Sequence, residues 1–370
     1  MDSDRGVFTL HGDYLPRDDY RSDLVATAVL PAPAGRTAPR LGLVAKGDLS
    51  RMDVAIAGRM PAPARATLTL RGNRNAPTWQ LRADSTALDL SLLSGSGAAS
   101  TPIAFGLVAD GNGGNANLRG TLSQGDFHAT LQPSKLSLED RLLRAQPLVL
   151  DVFGGRVTAN GVADLRDPRQ GSIKFAVNAR GLQWRSKDGA TQVRGDADFG
   201  VAGKPGLWAA IGNAKLQRGD QHADVRLDGF GNRDGVRIRG LQATMPQGRL
   251  DATGTLAWNP DLAWKADATL AGFDPGYFAP DWPGAIDGKL RSHGQIRGNG
   301  SLLAHVDAQQ LGGTLRKRAL SGHGSFDIDC GDYSGDVALA LGQSRIDAKG
   351  RIAPTMPGLR RTTVAMDMEQ

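Results

Sequence analysis

The sequence predicts an all-β protein: a long, twisted antiparallel sheet curled into an open apolar groove, with very little helix. Three observations predict it. Apolar and polar residues alternate along many short stretches, the period of a strand with one dry and one wet face. Glycine is abundant, 49 in 370 residues, and recurs with Asn and Asp at turn-like intervals. No long crossover separates the strand-like stretches, so neighbours must pair antiparallel.

Taken in order, the chain opens on Val7-Phe8-Thr9-Leu10, which reads as mid-strand, and the Ala/Pro-rich stretches 31–39 and 60–64 read as loops or hinges. SGSGAAS (94–100) and DGNGGNAN (110–117) read as turns, and Leu136 to Leu143 as one turn of helix. Gly155 to Leu165, GRVTANGVADL, puts Val157, Ala159, Gly161 and Ala163 on one parity, with Arg156, Thr158 and Asn160 on the other. Ile173, Phe175, Val177 and Ala179 alternate with Lys174, Asn178 and Arg180. Leu250, Ala252, Gly254, Leu256 and Trp258 oppose Arg249, Asp251, Thr253 and Thr255. Trp264, Ala266, Ala268 and Leu270 oppose Lys265, Asp267 and Thr269. Asp167-Pro168 and Asn259-Pro260 supply turns, and DPGYFAPDWPG (274–284) holds a short helical turn before Pro283. Ile346, Ala348, Gly350 and Ile352 face in, while Arg345, Asp347, Lys349 and Arg351 face out.

A repeat underlies this order. The core Arg, aliphatic, Thr/Asp, Ala, any residue, Gly starts at Arg156, again 93 residues on at Arg249, and 96 later at Arg345. Leu88-Asp89-Leu90 matches Phe273-Asp274-Pro275, 185 residues on. That period exceeds the usual solenoid coil and suits a module of several strands. The modules expected are residues 1–65 (partial, with Ala/Pro-rich loops), 66–154, 155–247, 248–343, and the start of another at 344–370. A half-apolar sheet must form a sandwich, close into a barrel, or curl into an open trough. The inward residues are mostly small aliphatics. Gly161, Gly254 and Gly350, at one repeat position, remove volume and let the strand bend.

Composition narrows function. The net charge of +6 arises from 44 basic and 38 acidic residues spread along the chain, which gives no nucleic-acid footprint. Cys330 is the only cysteine, so no intrachain disulfide forms. No apolar run has the length of a membrane helix, Met1 to Arg5 is no signal peptide, and both ends read as cuts in a longer chain. The histidines, His11, His128, His222, His293, His305 and His323, are dispersed without zinc-site spacing. GNGGNA (111–116) and RGNGSL (297–302) lack the helix and Lys-Ser/Thr of a phosphate loop and read as hairpin turns. Asp327, Asp329 and Asp332 lack the rest of a calcium loop, and Trp258, Trp264 and Trp282 read as lining or rim. No catalytic residue, metal or cofactor is expected.

The strand–Gly–strand module with LDLS (88–91) or FDPGYF (273–278), followed by PDWPGAIDGKLRSHGQIRG (280–298), resembles the central repeats of the TamB family, in the AsmA-like group of bridge-like lipid-transfer proteins. FTLHGDYLPRDDYRSDL (8–24) and RLGLVAKGDLSRMDVAIAG (40–58) resemble it too. The resemblance implies a β-taco in the periplasm of a Gram-negative bacterium, held to the inner membrane by an anchor outside this chain. It implies phospholipid acyl chains as cargo and a TamA-like outer-membrane barrel as partner, met through regions outside this chain. On that reading the groove is lined by Val157, Ala159, Ala163, Ile173, Phe175, Val177, Leu250, Ala252, Leu256, Trp258, Trp264, Leu270, Ile346 and Ile352, and curved by Gly161, Gly254 and Gly350. About 25 strands at ~4.8 Å would make a track on the order of 120 Å. The alternative is a scaffold or chaperone passing strands to an outer-membrane barrel or autotransporter by edge pairing. An exported β-solenoid adhesin fits the long period poorly.

Overall fold

The computed structural model describes the chain except residues 1, 4–5, 17–19, 33–36, 60–61, 73–75, 90–100, 168–169, 186–191, 205, 260, 278, 280, 298–300, 353–359 and 368–370. SGSGAAS (94–100), Pro168 and Pro260 fall outside the described residues, and so does part of 31–39 and of 297–302. The chain forms two compact units, Met1–Arg166 and Asp167–Gln370.

The first unit holds β1 (Asp2–Ser3), β2 (Gly6–Tyr14), β3 (Ser22–Val29), β4 (Arg40–Gly47), β5 (Arg51–Arg59), β6 (Pro63–Arg71), β7 (Thr78–Leu88), β8 (Ile103–Asn112), β9 (Asn115–Gln124), β10 (Phe127–Glu139), β11 (Leu142–Val152) and β12 (Gly155–Asp164). The second holds β13 (Ile173–Arg185), β14 (Gln192–Lys204), β15 (Leu207–Arg218), β16 (Gln221–Gly231), β17 (Gly235–Thr244), β18 (Arg249–Ala257), β19 (Leu262–Phe273), β20 (Gly284–Ile296), β21 (Leu302–Leu315), β22 (Arg318–Asp329), β23 (Asp332–Leu341), β24 (Ser344–Ile352) and β25 (Arg360–Asp367). Within each unit every strand pairs antiparallel with the next in sequence. Among the described residues the first strand of neither unit pairs with the last, so each is an open meander rather than a barrel. Among the described residues the only helical piece is the 3-10 turn Pro275–Tyr277, where the sequence places a helical turn. Among the described residues no helix is long and apolar enough to cross a membrane.

The other expected helical turn is corrected. Leu136 and Leu138 lie in β10, opposite Ala145 and Leu143 of β11. Asp140 and Arg141 both take positive φ, 47° and 60°, the backbone of a two-residue hairpin turn that suits strand twist. Four leucines within eight residues read as a helix face, but they are the ends of two paired strands.

The repeat is written in the backbone. Register shifts fall at Ser85/Leu88 in β7, Ala179/Leu182 in β13 and Leu270/Phe273 in β19, six strands apart each time. A second set falls at Ala145/Leu148 in β11 and Ile238/Leu241 in β17, again six strands apart. At each shift one strand carries an extra residue, which bends it and raises the local twist. The residues flanking the shift, three apart rather than two, therefore stay on the same face.

Little of either unit is a closed core. Twelve hydrophobic residues are buried among the described ones, and seven of them are alanines. Among the described residues one compact cluster forms, joining Ala223, Met245 and Tyr277, with Leu216 and Phe273 against it. There the 3-10 turn folds back over the ends of β15 to β17. Asp274 closes this turn, its Oδ1 accepting the amides of Gly276 (2.8 Å) and Gly284 (2.9 Å).

Candidate functional site

Residues directly opposite each other in an antiparallel pair point to one side of the sheet, so the registers trace what each face carries. In the second unit one row starts Val177, Phe199, Gly212, Leu227, Leu241 and Ala252. It continues through Ala268, Leu290, Ala308, Gly324, Val337 and Ala348. Twelve strands contribute, and no residue in the row is polar. In the first unit a row of the same kind starts Leu10, Ala26, Leu43, Ile56, Ala66 and Ala83. It runs on through Leu107, Gly120, Leu131, Leu150 and Val157.

These rows remain open to solvent. Leu10 is 71% exposed, Ile56 41%, Val306 and Phe326 41% each, although all four lie on the apolar side. Large side chains repeatedly lie over a glycine on the next strand. A β-carbon built on Gly212 would sit 2.1 Å from the Phe199 ring, on Gly231 2.4 Å from Trp208, and on Gly294 2.5 Å from Trp264. Each such pair covers bare backbone with a ring and keeps the lining shallow.

Charge is concentrated on the other side, with Arg218, at the end of β15 and over the Tyr277 ring, an exception. Lys46–Asp23, Arg65–Asp84, Arg156–Asp151, Arg291–Asp267 and Lys349–Asp336 are ion pairs between directly opposed residues, at 2.7–3.2 Å. Their side chains are largely exposed, so solvent screens each pair and little of the fold's stability comes from them. The hydrogen bond from Arg156 lowers the pKa of Asp151, and those from Arg180 and Lys349 lower Asp198 and Asp336. A shallow recess on this charged side, between Arg226, Asp228, Arg239, Asp267, Lys289 and Arg291, is bridged by Arg239–Asp228 at 2.7 Å and Arg291–Asp267. His305 lies on the same charged side but outside that recess, its Nδ1 2.6 Å from Asp327 Oδ1. Asp332 accepts from Arg351 at 2.7 Å. Among the described residues no cluster of His, Cys, Asp or Glu is arranged to hold a metal ion.

The residues read from sequence as lining fall as follows. Ile173, Phe175, Val177, Leu250, Ala252 and Trp264 are half-buried on the apolar side of the second unit, and Val157 and Ala159 on that of the first. Leu256, Trp258 and Ile346 are exposed. Ala163 and Leu270 are buried at 7% and 8% and form floor rather than open surface. Ile352 closes β24, and its side chain is outside the described residues. Gly161 and Gly254 face Ala145 and Ile238, each at the edge of a register shift, whereas Gly350 faces Gly335 where the register is regular. Sequence reasoning did not single out Leu227, Leu241, Leu290 or Leu107 as lining. Their places follow from their partners across the ladder, which one strand's pattern does not contain.

A family model described as "TamB, N-terminal domain" matches residues 115–358. The chain belongs to the TamB family. The TamB match runs from β9 through β24 and covers four of the five strands that carry the repeated register shifts, all but β7. No solved structure matches the chain.

Proposed function

We propose that this TamB-family chain is a periplasmic stretch of a bridge that conducts phospholipids between the inner and outer membranes, with acyl chains sliding over the apolar rows. One observation carries this reading. Rows of Ala, Val, Leu, Phe and Gly cross strand after strand without a charge, yet stay half-buried to exposed instead of packing into a closed core. Moving a phospholipid through water exposes roughly 30 methylene groups at about 0.8 kcal/mol each, a barrier of ~24 kcal/mol that a continuous apolar surface offsets. A shallow lining with no polar trap suits sliding better than tight holding. The anchor to the inner membrane and the contact with an outer-membrane barrel belong, on this proposal, to regions outside the chain.

The test is lipid capture. The protein is purified from bacteria carrying a photo-crosslinker at Leu250, Leu256, Val157 or Ile346, with Thr253 as the charged-side control. Phospholipid adducts at the four apolar positions and none at Thr253 are expected. Adducts at Thr253 alone reject the conduit, and adducts to unfolded barrel strands in place of lipid favour an assembly scaffold.

A further inference from the structure

All six tryptophans lie at strand ends or in the turns. Trp79, Trp208 and Trp264 are the second, second and third residues of β7, β15 and β19. Trp184 is the penultimate residue of β13, and Trp258 and Trp282 lie in connections. The four tyrosines follow the same rule: Tyr14 ends β2, Tyr333 is second in β23, and Tyr20 and Tyr277 lie between strands. The two middle rows traced above, Val177 to Ala348 and Leu10 to Val157, hold only aliphatic residues, phenylalanine and glycine. Rings with a polar tip thus border each sheet, and rings without one are tolerated inside it.

The indoles are also oriented. Trp79, Trp208 and Trp258 donate Nε1–H to the turn carbonyls of Gly113 (3.0 Å), Asn232 (3.1 Å) and Arg233 (2.8 Å), so the polar edge points outward and the ring lies inward. Trp264 instead donates to Ser292 Oγ at 3.0 Å, the one hydroxyl in the row that runs from Phe175 to Gly350. On the opposite lip of the second unit, the Arg316 guanidinium lies 5.4 Å from the centre of the Trp282 ring. An indole beside a cation suits a boundary where hydrocarbon meets phosphate.

We infer that the lips fix the depth at which cargo rides: the phosphate and glycerol of a phospholipid sit level with the indoles, and the acyl chains lie across the middle rows. This rests on the conduit reading and adds an orientation to it. The proposal concerns diacyl glycerophospholipids, whose anionic phosphate and ester region meet Arg316 and Trp282 on one lip, or whose ester region meets Trp208 and Trp258 on the other.

The test loads the full chain from vesicles of phosphatidylethanolamine and phosphatidylglycerol that contain phosphatidylcholine brominated near its ester end or near its methyl end. The protein is separated from vesicles by gel filtration, and its tryptophan emission is measured. The expected result is about twofold stronger quenching of the native indoles by the ester-end bromine. The emission added by Phe199→Trp, in the middle row, should show the reverse order, and Leu107→Trp is the equivalent reporter in the first unit should the former misfold. Trp208→Phe with Trp258→Phe should remove much of the ester-end quenching. One order shared by native and added indoles overturns the inference while leaving the conduit standing. No quenching from either label at any position removes both.

Discussion

The amide of Gly272 donates to Oδ1 of Asp287 at 2.8 Å, and six strands earlier the amide of Gly181 donates to Oδ1 of Asp196 at 2.7 Å. Both glycines take positive φ, 58° and 65°, and both are the extra residue of a register shift. The shift removes a ladder partner from the glycine amide, and the aspartate of the next strand replaces it.

Asp287→Ala should therefore loosen β19 against β20. A hydrogen bond to a charged acceptor contributes about 1.5–3 kcal/mol at most, less where solvent competes. Faster amide exchange from residue 270 to 274, with β15 and β22 unchanged, is the expected outcome. Gly272→Val adds the cost of left-handed backbone, about 1–2 kcal/mol, and should perturb the same segment more strongly.

A single charge on the apolar rows should obstruct lipid without unfolding the sheet. Leu241→Asp places a carboxylate in the middle row, where an acyl chain cannot replace its water. Lipid recovered with the purified protein should fall severalfold, with an unchanged far-UV spectrum. Thr253→Asp, on the exposed charged side, should leave lipid recovery at the parent level.

Acid should act late on the charged side. The side-chain hydrogen bond from Arg166 (Nε to Oδ1, 2.9 Å), together with the Arg166 amide, lowers the pKa of Asp164 from 3.8 to about 2. A folded pKa below the unfolded one gives stabilisation that is complete above about pH 4 and lost as pH falls through about 2. A carboxyl-carbon titration should place the midpoint near that lower value. Arg166→Gln should return it toward 3.8 and move the loss of the clamp to milder acid.

Tyr277 is 1% exposed, and burial raises its pKa. Tyr277→Ala removes the centre of the cluster that seats the 3-10 turn on Met245 and Ala223, a cavity worth about 3–5 kcal/mol. Because repeat arrays need not unfold as one cooperative unit, the readout is local. Exchange should rise around 216–223 and 245–248, while β23 and β24 keep their protection.

Alternation made the strands legible wherever the ladder is regular, as from Ile173 to Ala179 and from Trp264 to Leu270. It failed where a strand gains a residue: Leu182 and Phe273 rejoin the apolar side three positions after Ala179 and Leu270. The glycines showed the same limit. Gly161, Gly254 and Gly350 share a sequence position, yet only the first two border a shift, because the neighbouring strand decides. Leu136 to Leu143 misled for a related reason, since two strand ends and a tight turn compress apolar residues to helical spacing. The repeat of about 93 residues was visible because each module restates Arg, aliphatic, Ala and Gly in the same order. That it equals six strands needed the registers.

Six is an even number, and this has a consequence for span. Deleting or duplicating one period returns the chain to the same margin of the sheet, travelling in the same direction, with the same residues toward the dry side. At about 4.8 Å per strand, each period changes the reach by ~29 Å. A gene that gains or loses such a unit can change the sheet's length while every junction between neighbouring strands stays as it was.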